Sequence, residues 1–186
     1  MIINTENTNK KIEWSPENFE TSEFKKVLRP EVASAMSDSP LSYFAHHFGF
    51  DMEGFTNDPN LNSAFKVVNY YRKFNKKIVS AIEHRSLPIF GVQFHPEKIL
   101  FEHHLKVRVN LTRFSAMAAQ ELGRIIFNYA LENPNTFTTQ SELEAIEFKS
   151  YQAIKTRTVF ETVYLFNKPT LRRQYKSQKI VALALK

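Results

Sequence analysis

Three strand-like runs in close succession do most to limit how this chain can fold. Phe65–Arg72, Ile78–His84 and Pro88–Phe94 are linked by Lys73-Phe74-Asn75-Lys76-Lys77 and then by Arg85-Ser86-Leu87. A parallel crossover needs about a dozen residues or more, so the links predict an antiparallel meander. The third run is apolar on both faces, with Phe90, Val92 and Phe94 on one and Ile89 and Gly91 on the other. That pattern predicts a strand buried on both sides. Gln93 and His95 share the Gly91 side, where the small residue leaves room beside them.

The segments before the meander read as short pieces. Residues 1–11 begin Met1-Ile2-Ile3 and turn polar, as the tail of a strand or a frayed end. Ile12 and Trp14 alternate around Glu13, enough for a brief strand. Phe24, Val27 and Leu28 share one helical face, and Pro30 suits the first turn of a second helix through Ala35. The aromatic stretch Leu41–Phe50 reads as a strand or an extended loop, and Asp58-Pro59 starts a short helix through Ala64.

Behind the meander, Ile99–His104 reads as a loop. Asn110 or Thr112 caps a long helix that carries Phe114, Ala118, Leu122, Ile125 and Tyr129 on one face and stops at Asn133-Pro134. A further helix covers Ser141–Phe148 and a last strand Val159–Phe166. The expected division is one domain over residues 1–166 and a basic tail over 167–186.

Charge and composition exclude several function classes. The net charge of +6 resides in residues 168–186, which hold six basic side chains and no acid. The remainder balances 19 basic against 19 acidic residues, so nucleic acid is not an expected partner. No apolar run reaches membrane-spanning length, and the polar stretch Thr5–Lys11 does not read as a signal peptide. With no cysteine there is no disulfide and no thiolate metal site. His46-His47 and His103-His104 are adjacent pairs, which on a strand point to opposite faces, so no metal or other cofactor is expected. Asn110-Leu111-Thr112 is a glycosylation sequon, a triplet that also arises by chance.

The chemistry lies where the third strand ends, at His95-Pro96-Glu97. A base at a strand end is held rigidly, and a carboxylate two residues on can fix its tautomer and stabilise the imidazolium. A serine nucleophile does not replace the absent cysteine. The glycines are Gly49, Gly54, Gly91 and Gly123, and no Gly-x-Ser-x-Gly elbow exists.

Gly91-Val92-Gln93-Phe94-His95-Pro96-Glu97 resembles the His-Glu end of the class I glutamine amidotransferase triad. The continuation Lys98-Ile99-Leu100-Phe101-Glu102 is similar to the γ-glutamyl hydrolases, which trim polyglutamate from folates, whereas glutaminase subunits usually carry Ser after the Glu. The resemblance covers about residues 1–166 and matches the C-terminal half of that family's domain. It implies an α/β, flavodoxin-like amidotransferase fold, here partial, with the meander leading into the His-Pro-Glu strand. It makes His95 the catalytic histidine, Glu97 its orienting carboxylate, and His46, in the His46-His47-Phe48 step, a substrate-binding residue. It places the nucleophile and the oxyanion-binding amides of its turn in the half that precedes residue 1. Losing one such donor alone lowers a rate by about 10²–10³.

The implied activity is cysteine-dependent hydrolysis of γ-linked glutamate from folylpolyglutamate, with this chain inactive as it stands. A non-catalytic binding relic and the glutaminase subunit of a synthetase are the alternatives, and a homodimer stays open. The family is typically lysosomal, vacuolar or secreted. Without neighbouring parallel strands the His-Pro-Glu strand would expose an apolar edge, so poor solubility is expected.

Overall fold

The computed structural model describes residues 1–102, 106–156 and 162–166. Two compact units divide the chain, Met1–Asn133 and Pro134–Lys186.

In the first unit, strand β1 (Ile2–Lys10) pairs antiparallel with β3 (Ser42–Phe48). Residues 1–11 therefore form a nine-residue strand rather than a frayed end. Asn4 and Asn7 adopt positive φ where its register shifts, a conformation asparagine tolerates better than most residues. Asn7 and Asn9 then use their amides as a ladder. Asn7 donates to Lys106 C=O (2.8 Å) and accepts from Arg108 N–H (2.8 Å), and Asn9 accepts from Asn110 N–H (3.1 Å).

The second sheet runs β2 (Glu13–Trp14), β4 (Phe65–Lys73), β5 (Lys76–His84), β6 (Phe90–Val92), all neighbours antiparallel. The meander is present with a tighter first turn than its sequence indicates. Phe74 and Asn75 both have positive φ, so the hairpin closes over two residues in the mirror-image turn that matches strand twist. β6 differs more. It has three residues at the edge of the sheet, with Ile89 46% and Val92 42% exposed, so it is not buried on both faces.

Short helices pack around these sheets: α1 (Pro16–Glu20), α2 (Glu23–Val27), α3 (Pro30–Asp38), α4 (Met52–Asn57) and α5 (Pro59–Ala64). Pro30 starts α3 and Asp58 caps α5 through Asn60 and Leu61 N–H. The expected loop at Ile99 is the body of α6 (Pro96–Phe101). Proline at its first position and the four-residue reach of the backbone bonds explain a helix immediately after the strand.

Helix α7 (Arg113–Glu132) is capped by Thr112, whose hydroxyl accepts from Ser115 N–H. It buries Ala118, Leu122 and Ile125 in a core with Phe24, Val32, Phe44, Val68, Tyr71 and Ile78. Phe114, expected on that face, is 38% exposed. Glu121, buried on α7, accepts from Arg29 N–H (3.0 Å) and Nε (2.5 Å), which satisfies the start of α3.

The second unit holds α8 (Gln140–Ile146), the 3₁₀ turn Phe148–Ser150 and the antiparallel pair β7 (Gln152–Lys155) and β8 (Thr162–Leu165). The basic tail and the start of the expected last strand lie outside the described residues, as do His103 and His104. No described helix is long and apolar enough to cross a membrane.

Candidate active site

The site is built where β6 leaves its sheet. Gln93 N–H still donates to Ser80 C=O on β5 (2.8 Å), and Phe94 is buried against Phe44 with ring centroids 5.9 Å apart. His95 N–H then crosses to the other sheet and donates to Tyr43 C=O on β3 (2.8 Å). The chain direction at His95 is thus fixed by both sheets. Gly91 fits closely against its cross-strand neighbour, since a Cβ there would lie 3.1 Å from Ile82 Cγ1. The space beside Gly91 is taken by that cross-strand neighbour and is not open for a substrate.

His95 occupies the N-cap position of α6 without capping it, which leaves its ring free. Proline supplies the first helical residue, and Glu97 sits in the first turn. The two-residue spacing brings the side chains together, with His95 Nδ1 2.9 Å from Glu97 Oε1. Burial pushes the Glu97 carboxyl up, but the His95 hydrogen bond, its own backbone N–H and the nearby charges of His95 and Lys98 outweigh it. The net direction is down.

An ionised carboxylate only accepts, so Nδ1 carries a proton, and in the neutral ring Nε2 presents the lone pair. Nε2 makes no hydrogen bond to a described residue. The ring is about one quarter exposed, so the lone pair is within reach of a proton donor. Behind it, Lys98 Nζ pairs with Glu102 Oε2 across one turn of α6 (3.2 Å).

His46 and His47 separate to opposite faces of β3. His47 is exposed, 3.2 Å from Glu6 and 3.0 Å from Asn4 Oδ1. His46 is buried beside Phe44 and Tyr71. Its Nδ1 lies 2.9 Å from Phe48 C=O, which can only accept, so Nδ1 is the protonated nitrogen. Nε2 is then an acceptor for Tyr71 OH (3.3 Å), Tyr71 meets Thr5 Oγ1 (3.0 Å), and Thr5 is reached by Lys73 Nζ (3.3 Å). Donors run in one direction from the ammonium to the imidazole. Burial pulls the His46 pKa down, against the pull of the Phe48 carbonyl and Glu6, and with that of His95 and Lys73.

The structure therefore joins His95 to Glu97 and commits both nitrogens of His46 to protein partners. The Thr5–Tyr71–His46 chain escaped sequence reasoning. Its partners lie 66 and 25 residues apart, and no local pattern links them. Among the described residues no group of three or more His, Cys, Asp or Glu could hold a metal ion.

Residues 14–112 match the family model for class I glutamine amidotransferase. γ-Glutamyl hydrolase B of Dictyostelium discoideum is 25% identical over 152 residues, 80% of this chain and 44% of that protein. The γ-glutamyl hydrolase of Rattus norvegicus is 25% identical over 144 residues, 75% of this chain and 45% of the relative. Probable γ-glutamyl hydrolase 3 of Arabidopsis thaliana reaches 34% over 86 residues, 46% of this chain and 24% of its own. The chain spans less than half the length of the curated relatives it matches.

Proposed function

The chain belongs to the class I glutamine amidotransferase family, and from that premise we propose that it carries the base-and-acid wall of a γ-glutamyl hydrolase site and has no hydrolytic turnover alone. The observation that carries this reading is the His95 Nδ1 to Glu97 contact of 2.9 Å in a sequence without cysteine. Glu97 holds the neutral tautomer that leaves Nε2 basic and would stabilise the imidazolium formed when Nε2 takes a proton. A thiol is the natural donor, because its thiolate attacks a γ-glutamyl carbonyl while a carboxylate stabilises the charged base. Nothing in this sequence supplies that thiol.

The substrate class is γ-linked glutamate, as in folylpolyglutamate. The similarity to γ-glutamyl hydrolases supports the γ-glutamyl linkage. The wall offers an acceptor at Nε2 and an ion pair, Lys98 with Glu102, behind it. The role assigned to His46 is indirect. With both ring nitrogens engaged by protein partners, it packs against Phe44 and offers no nitrogen to a substrate. By the same resemblance we place the protein in a lysosomal, vacuolar or secreted setting.

Calorimetric titration with a γ-linked glutamate oligomer, run beside a glutamate-release assay, tests the proposal. Binding without release is expected of a wall that lacks its nucleophile. Release that disappears in His95→Ala would refute it. Neither binding nor release would remove the site altogether.

A further inference from the structure

The turn between β4 and β5 carries an aromatic where the backbone disfavours one. Lys73 and Lys76 close the ladder, so Phe74 and Asn75 alone make the turn, with φ of 52° and 57°. Asparagine and glycine suit that conformation, and a bulky side chain does not. Phe74 is also 69% exposed, so burial within this chain does not offset the strain. A strained residue that the fold does not use points to a function.

Phe74 is one of four exposed apolar side chains gathered at this end of the first unit. Lys73 Nζ lies 5.0 Å from the Phe74 ring centroid and donates to Asn4 C=O (2.6 Å), which ties the turn to the start of β1. There Ile2 is the cross-strand partner of Phe48 on β3. Two residues on, Phe50 C=O accepts from Val79 N–H on β5 (2.9 Å), which brings the end of β3 back to the same hairpin. Ile2, Phe48 and Phe50 are each more than half exposed.

Cations flank this patch. Residues 72–77 hold Arg72, Lys73, Lys76 and Lys77 and no acid. Glu13 takes up Arg72 (2.6 Å), and Asp51 takes up Lys76. Among the described residues no carboxylate pairs with Lys73 or Lys77, and Lys77 Nζ lies 4.7 Å from the Tyr70 ring centroid. The chemistry separates the classes of partner. Protein interfaces gather aromatics but are depleted of lysine. Single-stranded nucleic acid stacks its bases on aromatic rings, and Ile2 offers no ring to a base. Apolar tips beside unpaired lysines match the boundary between acyl chains and anionic headgroups, where the apolar groups enter and the ammonium groups stay with the lipid charge.

We infer that the β4–β5 turn, with Ile2, Phe48 and Phe50, docks this protein on the surface of a bilayer that contains anionic lipid. Phe74 enters the headgroup boundary, and Lys73 and Lys77 meet the anionic headgroups. The inference does not draw on His95 or Glu97.

Flotation with phosphatidylcholine vesicles, with and without phosphatidylserine, tests this, because vesicle-bound protein rises and aggregates sink. Expected is binding that needs phosphatidylserine and weakens with added salt. Phe74→Asn should weaken it about tenfold, and Lys77→Gln about fivefold. Asparagine suits the turn, so Phe74→Asn should melt no lower than the parent. No flotation, or equal flotation on phosphatidylcholine alone, overturns the inference. So does binding indifferent to both variants, which is what the basic residues of 168–186 alone would give. A Phe74→Asn variant that melts well below the parent would show that the fold uses the ring, and that also overturns it. Capture of a single-stranded RNA oligonucleotide in place of vesicles, lost in the same variants, overturns the choice of partner.

Discussion

Replacing Tyr71 by phenylalanine removes one oxygen and nothing else, at the centre of a buried chain. The hydroxyl meets Thr5 Oγ1 at 3.0 Å and His46 Nε2 at 3.3 Å. Tyr71 and Thr5 are each 1% exposed and His46 9%, so water does not replace the lost partner cheaply. A neutral hydrogen bond contributes about 1 kcal/mol net, and a buried acceptor left unsatisfied costs about 1–3 kcal/mol. The 3.3 Å bond is long, and Thr5 keeps Lys73 as a partner, so the expected loss for Tyr71→Phe is about 1.5–3 kcal/mol.

Urea unfolding followed by fluorescence reads this directly. Trp14, the single tryptophan, is stacked on Phe19 at 4.2 Å and donates from Nε1 to Ala33 C=O (2.9 Å), so it reports the same unit. The pH axis sharpens the test. Burial depresses the folded-state pKa of His46 below its ordinary 6.5, so below that value the unfolded chain binds the proton more readily. Stability from the neutral ring is present above about pH 6.5 and is lost as pH falls toward the folded pKa, by up to about 1.4 kcal/mol per pH unit. His46→Gln should flatten that part of the profile. A Tyr71→Phe loss under about 0.5 kcal/mol, or an acid profile unchanged in His46→Gln, would refute the directional chain.

Three further outcomes are expected. Gly123→Ala should raise stability by about 0.5–1 kcal/mol, because the new methyl meets nothing within 4 Å, with thermal unfolding as the readout. Glu121→Ala should cost about 1.5–3 kcal/mol, since Arg29 N–H and Nε both lose a buried carboxylate, checked by the same urea titration. Carboxyl-carbon NMR should find Glu97 titrating below the ordinary range of a glutamate, because the His95 hydrogen bond outweighs burial, and His95→Ala should move it back up.

Legibility in the sequence followed the range of the interaction. The meander was readable because link length alone rules out a parallel crossover, and β4, β5 and β6 pair as that rule requires. The His95–Glu97 pair was readable because two residues of separation suffice to make it. Membership of the amidotransferase family and likeness to γ-glutamyl hydrolases were legible from the run Gly91–Glu102. β1 was obscured because Asn4 and Asn7 break the alternation by adopting positive φ. The Phe74-Asn75 turn was obscured by an aromatic in a conformation that usually selects asparagine or glycine. The burial of β6 was misread because apolar residues on both faces indicate what a strand can bury, not what lies against it. The exposed Val92, and Ile89 just before the strand, are the result.

The central claim is that this chain holds a base and its orienting acid with nothing of its own to activate. Glutamate release from a γ-glutamyl peptide by the purified chain, beside His95→Ala, tests it most directly. The account requires both proteins to match buffer alone. Saturable release by the parent chain that His95→Ala abolishes would contradict it, because a nucleophile would then exist in a sequence that contains no cysteine.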